Sequence, residues 1–225
     1  MKKLLILLMI PAVFSCTYEE DILPDRLIYA TEEGYTRFNN ILLSERIGQF
    51  PYETPSPSER STLLFMIEEE KLARDVYDFF YETWRKPIFD NISASEENHM
   101  YAVRVLLNKY AITDPSLDYD AGYFQNHELR ELYLNLTNKG QRSYEKALEM
   151  GVLIEEMDIA ELIQAQQETD NEDIHLVYDH LQKASRNHLS VFYRNLSEQG
   201  VTYTPRYITQ DLLQEIVNSP PEKGY

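Results

Sequence analysis

The stretch Ser95-Glu96-Glu97-Asn98-His99 places a carboxylate and an imidazole three residues apart. In an α-helix, residues at this spacing leave the same face, so Glu96 and His99 can act on one ligand. Carboxylate oxygens and imidazole nitrogens are ligands that iron, manganese and zinc accept. The spacing therefore indicates a metal site, provided that the stretch is helical and this face is buried.

A structural role for Glu96 competes with this interpretation. Ser93-Ala94-Ser95-Glu96 matches a capping box, in which the glutamate reaches back to an amide at the start of its own helix. The spacing alone leaves both readings open. Convergence of Glu96 with other ligands would favour metal binding, whereas a contact with its own helix start would favour the cap.

Further candidate ligands lie in three other apolar, helix-like stretches. On helical wheels, Glu69 and Glu70 flank the centre of one apolar face, and Glu155 lies at the centre of another with Asp158 at its margin. His188 lies centrally on a third such face. Each position is unusual for a charged or titratable side chain, because apolar faces normally point into a protein core.

Four long helices and one short helix are predicted to position these residues. Apolar residues recur with the helical period, Ser58 and Pro87 bound the first helix, and Gly140 and Gly200 end two of the others. The long helices are expected at about 58–84, 93–110, 143–167 and 170–199, and the short one at 125–139. Polar residues expected to face solvent are Glu68, Glu156, Glu161, His175 and His180.

The two halves of this helical region repeat one order of features. An acidic cluster at 67–70 precedes Ser95 to His99, and a second acidic cluster at 154–158 precedes Asn187-His188. The repetition predicts an all-α, four-helix bundle made of two helix pairs, with the short helix between them. Each pair would supply acid from its first helix and a histidine from its second.

The blocks EEEKLARDVY, SExxH, EExDI and SxNHL, in this order, resemble a rubrerythrin-related bacterial domain family of the ferritin-like superfamily. The resemblance covers about residues 58–200. Dinuclear bundles of this superfamily use a glutamate from each of two helices and a Glu-x-x-His pair from each of the other two. The resemblance therefore implies a ferritin-like fold and two metal ions, with these ligands: Glu70, Glu96, His99, Glu155 and His188.

Tyr77 separates the two candidates on the first helix. The superfamily pattern has a tyrosine seven residues after the ligand, which favours Glu70 over Glu69. Glu69 stays open, because it lies equally well on the wheel. The resemblance implies that Tyr77 lies next to the ligands, with a role in electron donation as an alternative.

Ser185 departs from the superfamily pattern. It stands where a carboxylate precedes the last histidine, so one ligand is missing. Asp158, one turn after Glu155, could restore four carboxylates and two imidazoles, which balance two divalent cations. Buried carboxylates without such compensation cost several kcal/mol each.

The implied chemistry is redox at two metal ions, iron first, with manganese or zinc as alternatives. Ferrous oxidation and peroxide reduction are the candidate reactions. Cys16 is the only cysteine, so the chain has no rubredoxin-like electron donor of its own. Two alternatives remain: a metal-free bundle that serves as a binding or structural module, its ligand set decayed at Ser185, and a metal store without turnover.

The N-terminus has the order of features of an export signal. Lys2 and Lys3 precede an apolar run that ends in Ser15-Cys16, which resembles a bacterial lipobox with Phe14 as a departure. Residues 1–15 are accordingly predicted to be a lipoprotein signal peptide, and Cys16 the lipidated first residue of a protein at the cell envelope. A plain signal peptide with a coincidental cysteine is the alternative.

Three more segments complete the predicted organisation. Residues 16–57 are acidic and proline-containing and are predicted to be a tether, residues 58–200 the ferritin-like domain, and residues 201–225 an extension with a short helix at 211–217. The formal net charge of −17 argues against nucleic acid as a partner. The candidate partners are metal ions, a membrane in which the N-terminal lipid is anchored, and a second copy of the chain.

Overall fold

The computed structural model describes residues 26–117 and 120–224, so the predicted signal peptide and Cys16 lie outside the described residues. Seven helices and one two-stranded antiparallel hairpin form this part of the chain, and the predicted all-α bundle is confirmed. The elements are β1 (Ile28–Ala30), β2 (Thr36–Phe38), α1 (Asn40–Gln49), α2 (Pro57–Trp84), α3 (Pro87–Lys109), α4 (His127–Gly140), α5 (Tyr144–Gln167), α6 (Glu172–Glu198) and α7 (Gln210–Asn218).

The long helices pack as two pairs. Helix α2 packs on α3 and α5 on α6, and the pairs meet through α2 against α5 and α3 against α6. The predicted short helix, α4, lies against α2 and α5, and the predicted C-terminal helix is present as α7 against α6. Among the described helices, none combines the length and apolar character that crossing a membrane requires.

A polar layer divides the interior of the bundle. The buried apolar side chains form two clusters, one around Phe80, Phe89 and Phe192, the other around Leu63 and Leu181. Along α2, α3 and α6, the candidate ligands fall between residues of the first cluster and residues of the second. The polar layer is therefore enclosed by apolar packing at both ends.

Helix starts differ from the sequence prediction in a way that bears on Glu96. Helix α2 begins at Pro57 with a capping box between Ser56 and Glu59. Helix α3 begins at Pro87, a residue suited to the first helical position, and so includes Ser93 in its interior. The capping-box reading of Glu96 is therefore wrong, because this residue lies more than two turns inside the helix.

Residues 26–50 depart from the predicted tether of 16–57. They form β1, β2 and α1, and they bury Leu27, Phe38, Leu43 and Ile47 in the second apolar cluster. Both β2 and α1 pack on α3. Strands of three residues are too short for a period-2 pattern to be recognised, which is why the sequence did not predict them.

Three residues expected to face solvent are buried. Glu68 accepts hydrogen bonds from the amides of Gln125 and Asn126, and Glu156 accepts them from Tyr203 and from the backbone at 206–208. His180 is covered by Phe38 and by the C-terminal tail at Gly224. A helical wheel identifies the face that meets other helices but does not show which polar faces loops and termini will cover.

Candidate metal centre

Five side chains from four helices converge in the polar layer. Glu70 comes from α2, Glu96 and His99 from α3, Glu155 from α5 and His188 from α6. Glu70, Glu96 and His99 have ligand atoms within 4.8 Å of one another, and so do Glu96, Glu155 and His188. Because Glu96 belongs to both groups, the arrangement is two three-residue sites that share a carboxylate.

Each oxygen of Glu96 faces a different histidine. Its Oε2 lies 2.7 Å from Nδ1 of His99, and its Oε1 lies 3.0 Å from Nδ1 of His188. Nδ1 of His99 is also 3.2 Å from Glu70, and Nδ1 of His188 is 3.4 Å from Glu155. The two rings stack, with centroids 5.3 Å apart and planes at 15°. Glu96 therefore has the position of a bridge between two equivalent sites.

Several of these buried atoms have no hydrogen-bond partner. They include Oε1 of Glu70, Oε1 of Glu96 and Nδ1 of His188. The last two are 3.0 Å apart, but they are not aligned for hydrogen bonding. Polar atoms buried in this way are costly unless another group satisfies them. Potential ligand atoms that face one another without a hydrogen bond suit a cation held between them.

Burial and mutual charge shift the pKa of every member. Burial raises the pKa of Glu70 to about 8 even though His99 lowers it. Burial opposes the low pKa of Glu96, but His99 and His188 outweigh it and hold that pKa well below its usual range. Burial would lower the pKa of His188, yet Glu96 and Glu155 raise it to about 9. Without a metal, protons therefore supply the positive charge of the centre.

Tyr77 lies beside the two three-residue groups. It is fully buried, its hydroxyl donates to Oε1 of Glu155 at 2.5 Å, and its ring packs against Phe192 with centroids 5.1 Å apart. Burial, followed by the charge of Glu155, raises the pKa of Tyr77 well above its usual value. The tyrosine is accordingly a neutral donor that orients a candidate ligand.

Asp158 contacts Ser185. This is the position at which the superfamily pattern has the carboxylate that Asp158 was predicted to replace. The Ser185 hydroxyl donates to Oδ2 of Asp158, while Oδ1 of Asp158 is buried without a partner. Burial, followed by the charge of Glu70, raises the pKa of Asp158 well above its usual range. Asp158 belongs to neither three-residue group, so the structure brings it to the edge of the centre and leaves one oxygen free.

Glu69 and Arg74 lie outside the two groups. Burial raises the pKa of Glu69 well above its usual range, and the charges of Glu161 and Asp158 raise it further. Arg74, the positively charged residue four positions after Glu70, pairs with Asp75 and Glu97. In the described part of the chain, the ion pairs of Glu70, Glu96 and Glu155 are with the two histidines.

Thr36 contacts both histidines of the candidate centre, and the sequence did not predict this contact. Its hydroxyl oxygen lies 2.9 Å from Nε2 of His99 and 2.9 Å from Nε2 of His188. The side chain is fully buried although it comes from β2, within the predicted tether. A single threonine in a segment without clear periodicity carries no signal by which the sequence could have assigned it.

Comparisons with known proteins relate the chain to proteins of unassigned function. It is 46% identical over 180 residues to an uncharacterized protein, MJ0754, of Methanocaldococcus jannaschii, covering 80% of this chain and 97% of the relative. The crystal structure of the hypothetical protein MJ0754 superposes with a TM-score of 0.76, over 77% of this chain and 99% of that one. An uncharacterized protein domain, DUF2202, matches residues 59–220. The chain therefore belongs to the DUF2202 domain family.

Proposed function

We propose that this protein is a ferritin-like dinuclear metal protein that binds two divalent cations, iron in the first place. The observation that carries the proposal is the pair of buried three-residue groups that share Glu96. The order of the sequence blocks, which resembles that of rubrerythrin-related ferritin-like domains, gives independent support. Oxygen and imidazole ligands suit iron, manganese or zinc.

The residues present fit two such ions in number and in charge. Glu70 with His99 would hold one ion, Glu155 with His188 the other, and Glu96 would bridge them. Asp158 brings the carboxylates to four, which together balance two divalent cations. The unpartnered oxygens of Glu70, Glu96 and Asp158 support this assignment, because a bound cation would satisfy all three.

A pair of iron ions supplies electrons for the reduction of oxygen or peroxide, so the proposed reaction is ferrous oxidation or peroxide reduction. The chain's own residues orient and enclose that pair. Tyr77 holds Glu155 through its hydroxyl, and the Ser185 hydroxyl holds Asp158. The apolar clusters on either side of the polar layer exclude water, which strengthens every electrostatic contact within it.

Ferrous oxidation assays test the reaction. The wild-type protein is expected to oxidise added ferrous iron faster than buffer does, with either oxygen or hydrogen peroxide as the oxidant. His99→Ala should abolish the difference, whereas His127→Ala should not, because that side chain is exposed on α4. Equal rates for wild type and His99→Ala would contradict the proposal, and tight binding without any rate enhancement would indicate a metal store.

We also propose that the protein is lipid-anchored at the bacterial cell envelope through Cys16. The supporting observation is the sequence order of Lys2 and Lys3, an apolar run and Ser15-Cys16. Expressed in a bacterium, the wild-type chain should fractionate with membranes and Cys16→Ala should not. Membrane association that survives the substitution would contradict the anchor.

A further inference from the structure

One hydroxyl group joins the two histidines of the centre on the side away from the carboxylates. Oγ1 of Thr36 is 2.9 Å from Nε2 of each ring, while Nδ1 of each ring faces the glutamates. The two rings are nearly parallel, so one atom can meet both. In the described structure, the Thr36 hydroxyl is therefore hydrogen-bonded to the Nε2 atom of both imidazoles.

The strand that carries Thr36 is fastened to α3 by the same motif that supplies the ligands. The amide of Thr36 donates to Oγ of Ser95 at 2.9 Å, and the amide of Phe38 donates to Oδ1 of Asn98. The ring of Phe38 meets His99 edge-on at 5.9 Å. Ser95 and Asn98 thus hold β2, while their neighbours Glu96 and His99 point into the centre.

The hydrogens available at Thr36 determine what each histidine can do. A threonine hydroxyl has two lone pairs and one hydrogen. If both Nε2 atoms carry hydrogens, both donate to the two lone pairs, and each neutral ring has a free lone pair on Nδ1. If the hydroxyl donated to one ring instead, that neutral ring would carry its hydrogen on Nδ1, where it would block a cation.

We infer that Thr36 is a positioning residue of the centre, whose hydroxyl accepts Nε2–H from both His99 and His188 and so presents both Nδ1 atoms as metal ligands. This inference rests on the proposed metal-binding function. The N-terminal hairpin would then help to complete the metal site, although it precedes the segment that the domain family matches. A hydrogen bond to the far nitrogen fixes ring orientation and raises ligand basicity.

Zinc binding to the full chain tests the role of the hydroxyl. Thr36→Val keeps the side-chain shape but leaves two buried N–H groups without an acceptor, so zinc affinity should fall by about 10–100-fold. Thr36→Ser keeps the hydroxyl and should restore most of the affinity. Thr137→Val is the matched control, because among the described residues the hydroxyl of this buried threonine bonds only to backbone carbonyls of α4. This variant should bind zinc as the wild type does.

The possible results separate the inference from the function on which it rests. Failure of the wild type to bind zinc would overturn the proposed function. Wild-type affinity in Thr36→Val, or equal weakening in the valine and serine variants, would overturn the inference alone.

Nitrogen-15 NMR of the histidines in the zinc-loaded wild type decides the question even if a variant does not fold. The inference expects His99 and His188 to carry their hydrogens on Nε2 and the metal on Nδ1. Ligation through Nε2 in either residue would overturn it. In Thr36→Val, the Nε2 hydrogens should exchange with solvent faster than in the wild type, a change that a purely structural role for the methyl group would not produce.

Discussion

At the scale of single residues, Glu96 is the side chain on which the centre depends most. It is the one member common to both groups, and its two oxygens meet different histidines. Its low pKa, opposed by burial but imposed by His99 and His188, keeps it ionised where neighbouring carboxyls hold protons. Glu96 therefore carries a negative charge. The protons on the two histidines neutralise this charge in the metal-free protein, and metal cations would compete with those protons.

That competition predicts a pH dependence of metal affinity. A cation must displace protons held by Glu70, with a pKa of about 8, and by His188, with a pKa of about 9. Affinity for zinc should therefore rise between pH 6 and pH 8 by about tenfold per pH unit for each proton displaced, and less steeply between pH 8 and pH 9. Isothermal titration at several pH values, in buffers of different ionisation enthalpy, measures both affinity and proton release. Affinity that does not change over this range would contradict the assignment.

The metal-free protein should show the opposite trend in stability. Each group has a folded-state pKa above its ordinary value, which is 4.5 for Glu70 and 6.5 for His188. Between its ordinary pKa and its folded-state pKa, each group binds more protons in the folded state than in the unfolded state. Their stabilisation is complete below the ordinary values and is lost as pH rises through about 8 and 9. Urea denaturation of metal-free protein should therefore give a lower free energy of unfolding at pH 9 than at pH 7.

At the scale of elements, the two Asn-His pairs have parallel roles. Asn98 accepts from the Phe38 amide and so holds β2, while Asn187 bonds to the backbone of Glu222 and so holds the C-terminal tail. In each pair, the following histidine enters the centre. The repeated dipeptide thus fastens a terminal segment and supplies a candidate ligand in two successive residues.

Loss of the first fastening should be measurable. Asn98→Ala leaves the Phe38 amide without its acceptor, which should lower the free energy of unfolding by about 1–3 kcal/mol. Asn138→Ala, on the exposed side of α4, is the matched control and should change it by less than about 0.5 kcal/mol. Urea denaturation of the metal-free proteins compares the two. Similar small effects would show that the hairpin does not depend on Asn98.

The helices could be predicted because their signals are local. Apolar periodicity identified the four long helices, and spacing on those helices placed Glu96, His99 and His188 on buried faces, where the structure has them. Thr36, Glu68 and Glu156 could not be placed in the same way. Their burial depends on contacts that a hairpin, a loop and a C-terminal segment make with distant parts of the chain. The periodicity of apolar residues does not predict such contacts.

At the scale of the whole molecule, a metal should stabilise the bundle, because its polar layer interrupts the apolar core. At a free metal concentration about 100 times the dissociation constant, binding contributes about 2.7 kcal/mol. For a chain of this size, that corresponds to a rise in Tm of about 5–10 °C. Differential scanning fluorimetry with zinc, and again after EDTA, measures the shift. An unchanged Tm would favour the metal-free binding or structural module.

The proposed function requires that the bundle hold two cations that share Glu96. Anaerobic titration of the purified full chain with ferrous iron, followed by equilibrium dialysis, tests it most directly. This proposal predicts two equivalents for the wild type and two for Glu97→Gln, whose side chain is half exposed on the same helix. It predicts fewer than one equivalent for Glu96→Gln. Fewer than one equivalent in the wild type, or binding to Glu96→Gln as tight as to the wild type, would contradict it.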